Sequence, residues 1–544
     1  MKKLVSRFMA VLMAMTMILS MSMTAFAADA ADAPKGTLTV NNTVEGKTLD
    51  LYQIFTATKN GDNVAYTLND AYEGFFQSKI SGASTLTGEA LSEKAYEYVK
   101  TQVGTDGSNG AAFAKDIMGW ILSASGETKT AVESTHSTTT TADTKTVIEN
   151  LAYGYYVVYP LGATDTSTAP GNEAVKSVAS LVSVTGDDAT VNMKSNYPTV
   201  VKKVNDKNAD DVNIGDTVTY TLTSKVPDMT GYTSYVFNFK DTLAKGLTFG
   251  SITSVTVGSG ENVQNVTEGT GDNTYTLTQD GQNITITMNN FFASNENKAG
   301  QEINVTYTAT LNKDAVTGFD PNTNKATVEY SNKPGTDEKG ESEPSIVDVH
   351  TFNFTIFKYY LKDETKTGLA NAEFELYKAN EAGDAADTNA KINIVKVKDG
   401  EYRQATPEEA AAEGFKSDVI VSGTDGKVLV KGLDAGTYYL RETKAPEGYN
   451  KLLSDIKVEV KANYDETTGK LTSYSVDYTY NGTTTTGTAI TNKDNSPEVA
   501  VENKTGAQLP STGSKGALMV TLAGIVLFGA LTASKVFGKK KVNN

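Results

Sequence analysis

The sequence predicts a mainly β chain, with tandem β-sandwich domains following a mixed α+β N-terminal domain. Three observations carry this. Alternating runs rich in Val, Thr and Tyr, broken by Gly, Asn and Asp, recur from residue 35 onward, the pattern of strands joined by tight turns. Helical spacing is clear only in the first third, where Leu91, Ala95, Tyr98 and Val99 precede Gly104 and Phe113, Ile117, Trp120 and Ile121 follow, both sets at i, i+4, i+7 and i+8. Finally, residues 28–512, which remain once two removable ends are set aside, suit roughly three domains.

At the N-terminus, Lys2, Lys3 and Arg7 lead into the apolar stretch Phe8 to Met23, which ends in Ala25-Phe26-Ala27. This is the form of a secretory signal peptide spanning 1–27. The N-terminal domain is placed at 28–196. Within it, Ser134 to Thr144 is Ser/Thr-rich without apolar anchors and reads as a mobile loop. A second domain, 197–348, opens at Tyr197-Pro198. A third, 349–506, opens near Thr351 after the polar stretch Ser331 to Ser345 with its two prolines. The tail 507–544 holds Leu509-Pro510-Ser511-Thr512-Gly513, an uncharged apolar run from Gly516 to Ser534, then Lys535, Lys539, Lys540 and Lys541. At about 1.5 Å per helical residue the apolar run crosses most of a ~30 Å hydrocarbon core, and the lysines favour the cytoplasmic side. A membrane segment is accordingly placed at 516–537.

Composition excludes several functions. Residues 28–512 keep all 65 Asp and Glu but 41 of the 49 Lys and Arg, a net charge of 41 − 65 = −24, so nucleic acid and anionic membrane are not expected ligands. The absence of Cys removes disulfides, thiol nucleophiles and thiolate-bound metals, although extracellular domains often need a covalent staple. Another kind of crosslink is therefore to be sought. With only His136 and His350, both read as solvated surface residues, a His-based triad or multi-His metal site lacks material. No cofactor or metal is expected.

The LPxTG pentapeptide resembles the substrate of Gram-positive sortases, and the chain as a whole resembles a major (backbone) subunit of sortase-assembled fimbriae. In the first domain the resemblance rests on Leu51-Tyr52-Gln53-Ile54-Phe55 and Tyr153-Gly154-Tyr155-Tyr156-Val157-Val158. In the second it rests on Pro198 to Val204, Ile214 to Tyr220, Lys240-Asp241-Thr242-Leu243 with Gly246-Leu247, and Asn324 to Val328, similar to an isopeptide-forming fimbrial domain. In the third, Phe357-Lys358, Ala372 to Leu376, Tyr438 to Glu442 and Pro446-Glu447-Gly448-Tyr449 resemble a collagen-adhesin B-type (CnaB-like) domain. The resemblance implies immunoglobulin-like β-sandwiches of the CnaA/CnaB kind. It also implies sortase cleavage within Leu509, Pro510, Thr512 and Gly513, after Thr512.

It further implies intramolecular Lys–Asn amides, each formed in a dry core with the help of a carboxylic acid. Desolvation lowers the amine's pKa and raises the acid's, so the acid can move the proton while ammonia leaves. In the third domain the assignment is Lys358 as amine, Glu442 as acid and Asn503 as amide, with Asn492 as the alternative amide. Strand parity sets Phe354, Ile356 and Lys358 against Thr355, Phe357 and Tyr359, although Phe357 is apolar on the other face, and an inward lysine is otherwise costly. In the second domain Val200, Lys202 and Val204 share a face, which selects Lys202 over Lys203. Asp241 is then the acid and Asn324 the amide.

Polymerisation needs an exposed lysine. Related backbone subunits carry it directly after a Tyr-Pro, but Thr199 follows Tyr197-Pro198 here. Lys194 is the first choice and Lys203 the second. The resulting expectation is a non-enzymatic structural protein: an elongated row of three β-rich domains, secreted, internally crosslinked and fixed to the cell wall. Its expected partners are a sortase, further copies in a covalent homopolymer, and peptidoglycan, with a host matrix or glycan receptor as a candidate. The rival is a wall-anchored matrix-binding adhesin or minor tip pilin. A secreted hydrolase with paired carboxylates is a third class.

Overall fold

A computed structural model describes residues 34–104, 110–123, 131–164, 178–193 and 196–505. It divides into two compact units. One comprises Met1–Asp210, Thr217–Thr310 and Asn322–Val349, the other Asp211–Asp216, Leu311–Pro321 and His350–Asn544. The expected signal peptide 1–27, Lys194, the LPSTG pentapeptide and the expected membrane segment 516–537 lie outside the described residues. Among the described residues no helix is long and apolar enough to cross a membrane.

The first unit begins with a four-strand sheet in the order Asn63–Leu68, Thr48–Asn60, Gly154–Pro160, Ser180–Val184, and a three-strand sheet in the order Lys145–Ala152, Lys35–Asn41, Ala189–Asn192. All seven residues of Gly154–Pro160 are buried because this strand is covered on both faces. Tyr155, Val157 and Tyr159 face the helices Glu73–Lys79, Gly88–Val103 and Gly110–Leu122. Tyr156 and Val158 face the three-strand sheet, packing with Leu38, Val40, Ile148 and Val191. The period of two assigns each residue its side.

The neighbouring strand breaks that period. Its pairing with Gly154–Pro160 shifts register between Gln53 and Phe55, and this bulge lets Ile54 and Phe55 both enter the helix-facing core. Two of the helices are those the spacing predicts. The third, Glu73–Lys79, is too short for periodicity to reveal, and it is held by Phe75 and Phe76.

Two expectations are corrected. Ser134 to Thr144 is not simply a loop: His136–Thr139 forms a strand against Thr48–Leu51. Backbone pairing and hydroxyl bonds replace apolar anchors there, with Thr140 Oγ1 accepting from Lys47 N at 2.9 Å and donating to Lys47 O at 3.0 Å. His136 is accordingly half-buried rather than fully solvated. His350 is only 2% exposed, its ring stacked on Phe352 at 6.3 Å and edge-on to Tyr464 at 5.9 Å. An imidazole flanked by aromatic rings buries its apolar faces, a gain that a composition argument does not register.

The rest of the first unit is a two-sheet sandwich. One sheet runs Gln264–Asn265, Leu247–Val257, Glu302–Leu311, Thr217–Lys225, Val201–Val204. The other contains Ser345–His350, Asn322–Ser331, Phe237–Leu243, Asn283–Met288 and Thr274–Asp280 in that order. Ile303, Val305, Tyr307, Ala309 and Leu311 are buried and alternate with more open positions, the signature of a sheet with one face on a core.

The second unit is also a two-sheet sandwich. Its first sheet runs Thr365–Gly368, Phe352–Lys362, Lys427–Leu433, Glu401–Gln404, Ile394–Lys398, with Glu498–Glu502 parallel to Phe352–Lys362. Its second runs Ala386–Lys391, Glu373–Ala379, Gly436–Lys444, Ile456–Tyr464, Leu471–Tyr480, Thr483–Thr485. Phe354, Ile356, Val428 and Val430 from the first meet Phe374, Leu376, Leu440 and Val458 from the second in one core.

Candidate functional site

Each sandwich encloses a lysine, a carboxylate and an asparagine. In the first unit Lys202 lies on Val201–Val204, paired opposite Leu222. Asp241 and Asn324 lie on adjacent strands of the facing sheet, where Asp241 pairs with Ala326 and Leu243 with Asn324. Neither Asp241 nor Asn324 sits in a turn. Lys202 is 1% exposed, Asp241 2% and Asn324 0%, whereas Lys203 is half-buried and hydrogen-bonds Asn208 Oδ1. The Lys202 amine contacts Asp241 Oδ2 and donates to the Tyr307 hydroxyl at 2.8 Å. That hydroxyl donates to Asp241 Oδ2 at 2.9 Å and accepts from Asn324 Nδ2 at 2.7 Å.

Burial sets the electrostatics. Desolvation pulls Lys202 down to about 8 despite the opposing pull of Asp241, and it pushes Asp241 up despite Lys202. Both shifts run in the direction of a neutral pair. The rings of Tyr220 and Tyr307 lie 4.9 and 5.1 Å from the ammonium position, so the cavity around the amine is walled by aromatic carbon. Asn324 Oδ1 and Asp241 Oδ1 have no hydrogen-bond partner among the described residues.

In the second unit the strand parity holds. Phe354, Ile356 and Lys358 are buried, while Thr355, Phe357 and Tyr359 are half-buried. Apolar Phe357 is accounted for by its ring, which stacks on Tyr359 at 5.5 Å and lies under Lys427. Lys358 Nζ is 3.0 Å from Glu442 Oε1, with both side chains wholly enclosed. Asn503 Nδ2 donates to the same Oε1 at 3.2 Å, and Glu442 Oε2 accepts from Leu452 N at 2.7 Å. Glu498–Glu502 runs parallel to Phe352–Lys362, with Val501 opposite Lys358, and Asn503 N continues the ladder to Tyr359 O at 2.8 Å. That pairing carries Asn503 to the amine. Asn492 is exposed, its Oδ1 accepting from Asp494 N and Asn495 Nδ2. Desolvation also pulls Lys358 down to about 8, against the pull of Glu442. Asn503 Oδ1 has no hydrogen-bond partner among the described residues.

The sequence reading did not include Tyr307 or the Leu452 amide. The alternation Ile303, Val305, Tyr307 does point Tyr307 inward, and a buried phenol calls for a polar partner. A backbone donor such as Leu452 N leaves no residue-type signal.

Two family models match the chain. One, described as Gram-positive pilin backbone subunit 2, Cna-B-like domain, matches residues 214–334. The other, SpaA, described as a prealbumin-like fold domain, matches residues 355–475. The trypsin-resistant surface T6 protein of Streptococcus pyogenes serotype M6 is 25% identical over 360 residues, covering 60% of this chain and 59% of that protein. Among solved structures, the T6 backbone pilin of serotype M6 Streptococcus pyogenes is similar at 19% identity over 79% of this chain and 82% of that one, TM-score 0.41. The group B streptococcus pilus 2b backbone protein is similar at 25% identity over 57% and 99%, TM-score 0.39. The two matches lie in tandem, the Gram-positive pilin backbone Cna-B-like model over residues 214–334 and the SpaA prealbumin-like model over residues 355–475.

Proposed function

We propose that this chain is the structural backbone subunit of a sortase-assembled, wall-anchored pilus, stiffened by two internal Lys–Asn amides. The observation that carries the reading is the pair of enclosed lysines, each beside an acid and an asparagine supplied through the opposite sheet or the neighbouring parallel strand. A buried amine is costly even beside its acid, and so is a buried amide oxygen without a partner. Condensing Lys202 with Asn324, and Lys358 with Asn503, replaces each amine with a neutral amide and expels ammonia. Each bond closes a loop of more than 100 residues and so restricts the unfolded chain.

In this reading 1–27 is removed on export and 28–196, 197–348 and 349–506 form three pilin domains. Sortase cuts after Thr512, and the Thr512 carbonyl passes to Lys194 of another copy or to a peptidoglycan amine, while 516–537 holds the precursor in the membrane. The bonds that define the function are made in and between copies of the chain, so it works as a scaffold. The pilin wording of the family model matched over residues 214–334 supports this, as does the surface wording of the T6 relative's name. The test is the intact mass of residues 28–505 produced as one soluble chain. It is expected to lie about 34 Da below the sequence mass, ~17 Da for each ammonia, and an unshifted mass would overturn the crosslinks.

A further inference from the structure

The two clusters differ in how the acid reaches the amide. Glu442 Oε1 is itself within 3.0 Å of Lys358 Nζ and 3.2 Å of Asn503 Nδ2. Asp241 is one methylene shorter, and among the described residues no hydrogen bond joins it to Asn324. A hydroxyl occupies the gap. Tyr307 accepts from Lys202 Nζ at 2.8 Å and from Asn324 Nδ2 at 2.7 Å while donating to Asp241 Oδ2 at 2.9 Å, so one oxygen touches the nucleophile, the leaving nitrogen and the acid. Its position is fixed from the backbone outward: Tyr307 pairs with Tyr220 in the sheet, stacks on that ring at 5.2 Å and packs against Phe249 at 5.7 Å.

We infer that Tyr307 is a catalytic residue of the Lys202–Asn324 ligation, its hydroxyl relaying a proton from Asp241 to the departing Nδ2 of Asn324. This rests on the crosslink reading above. The neutral Lys202 amine attacks Asn324 Cγ. Protonated Asp241 gives its proton to the Tyr307 oxygen as Tyr307 passes its own proton to Nδ2. The Cγ–Nδ2 bond breaks and ammonia leaves, and the Asp241 carboxylate then takes the proton that the new amide nitrogen sheds, so Asp241 ends protonated, as it began. The Glu442 cluster needs no relay, because its carboxyl reaches both nitrogens unaided.

The test follows crosslink formation in the full chain during cell-free synthesis, by mass spectrometry of the branched peptides joining 202 to 324 and 358 to 503. In Tyr307→Phe, which keeps the stacked ring, the first bond is expected to form roughly 10²-fold more slowly, while the second forms at its normal rate. Equal rates for the 202–324 bond in Tyr307→Phe and the unmodified chain would overturn the relay alone. Absence of that bond from the unmodified chain would overturn the crosslink reading itself. Should Tyr307→Phe not fold, as judged by circular dichroism, 3-fluorotyrosine incorporated throughout keeps the size but acidifies the phenol. The 202–324 rate then changes while the 358–503 rate does not, and an unchanged 202–324 rate overturns the relay.

Discussion

Glu442 faces Lys358 from the opposite sheet of its sandwich, Oε1 3.0 Å from Nζ, with neither side chain exposed at all. Since each acid serves one enclosed cluster, Glu442→Ala is expected to abolish the 358–503 bond and leave the 202–324 bond intact, halving the mass deficit. Stability falls on two counts. Stranding a buried lysine costs about 3–5 kcal/mol, and losing the staple costs roughly 2–5 kcal/mol by analogy with a disulfide. Intact mass and thermal midpoint check this, and an unchanged pair of values would refute the role of Glu442.

Asn503→Ala and Asn492→Ala separate the two candidate amides. The first is expected to lose one ~17 Da deficit. The second keeps both, because Asn492 is exposed and bonded only to its own turn. Loss of a deficit in Asn492→Ala would move the bond.

The proposed 202–324 ligation is expected to have a pH dependence opposite to that of a simple amine attack. Burial lowers Lys202 to about 8 and raises Asp241, so between the two ionisations the pair holds one proton, available as neutral amine and protonated acid. Above about pH 8 that proton is lost. The amine remains nucleophilic, but Asp241 then holds no proton to relay as the Cγ–Nδ2 bond breaks, and the rate is expected to fall about tenfold per pH unit. Rates measured during cell-free synthesis from pH 6.5 to 9.5 check it, and a steady climb to the top of that range would sink the acid's role.

Polymer growth is expected to require Lys194. Cells expressing Lys194→Ala should display monomer held through Thr512 but no ladder of SDS-resistant species, with both internal bonds intact. A full ladder from Lys194→Ala moves the acceptor to Lys203. A ladder that survives the double substitution places it elsewhere.

Much of both clusters was legible because strand parity is a local property. Val200, Lys202 and Val204, like Phe354, Ile356 and Lys358, share a face whatever the rest of the chain does. A charged residue on an otherwise apolar face stands out at once. Tyr307 was harder to single out, since a tyrosine on the buried face of a strand looks like any core aromatic until its neighbours are known.

By itself, then, the sequence determined what depends on spacing along the chain: strands, two helices, the inward lysines and the missing thiols. Tertiary structure alone decided what depends on which strands lie side by side. The parallel pairing of Glu498–Glu502 with Phe352–Lys362 brings Asn503 rather than Asn492 to Glu442. The Gln53–Phe55 register shift turns two successive residues into one core. Ring packing buries His350, and the pairing of Tyr220 with Tyr307 sets a hydroxyl between Asp241 and Asn324. Register between distant strands follows from the summed burial of a whole sheet face, and no short window of sequence contains that sum.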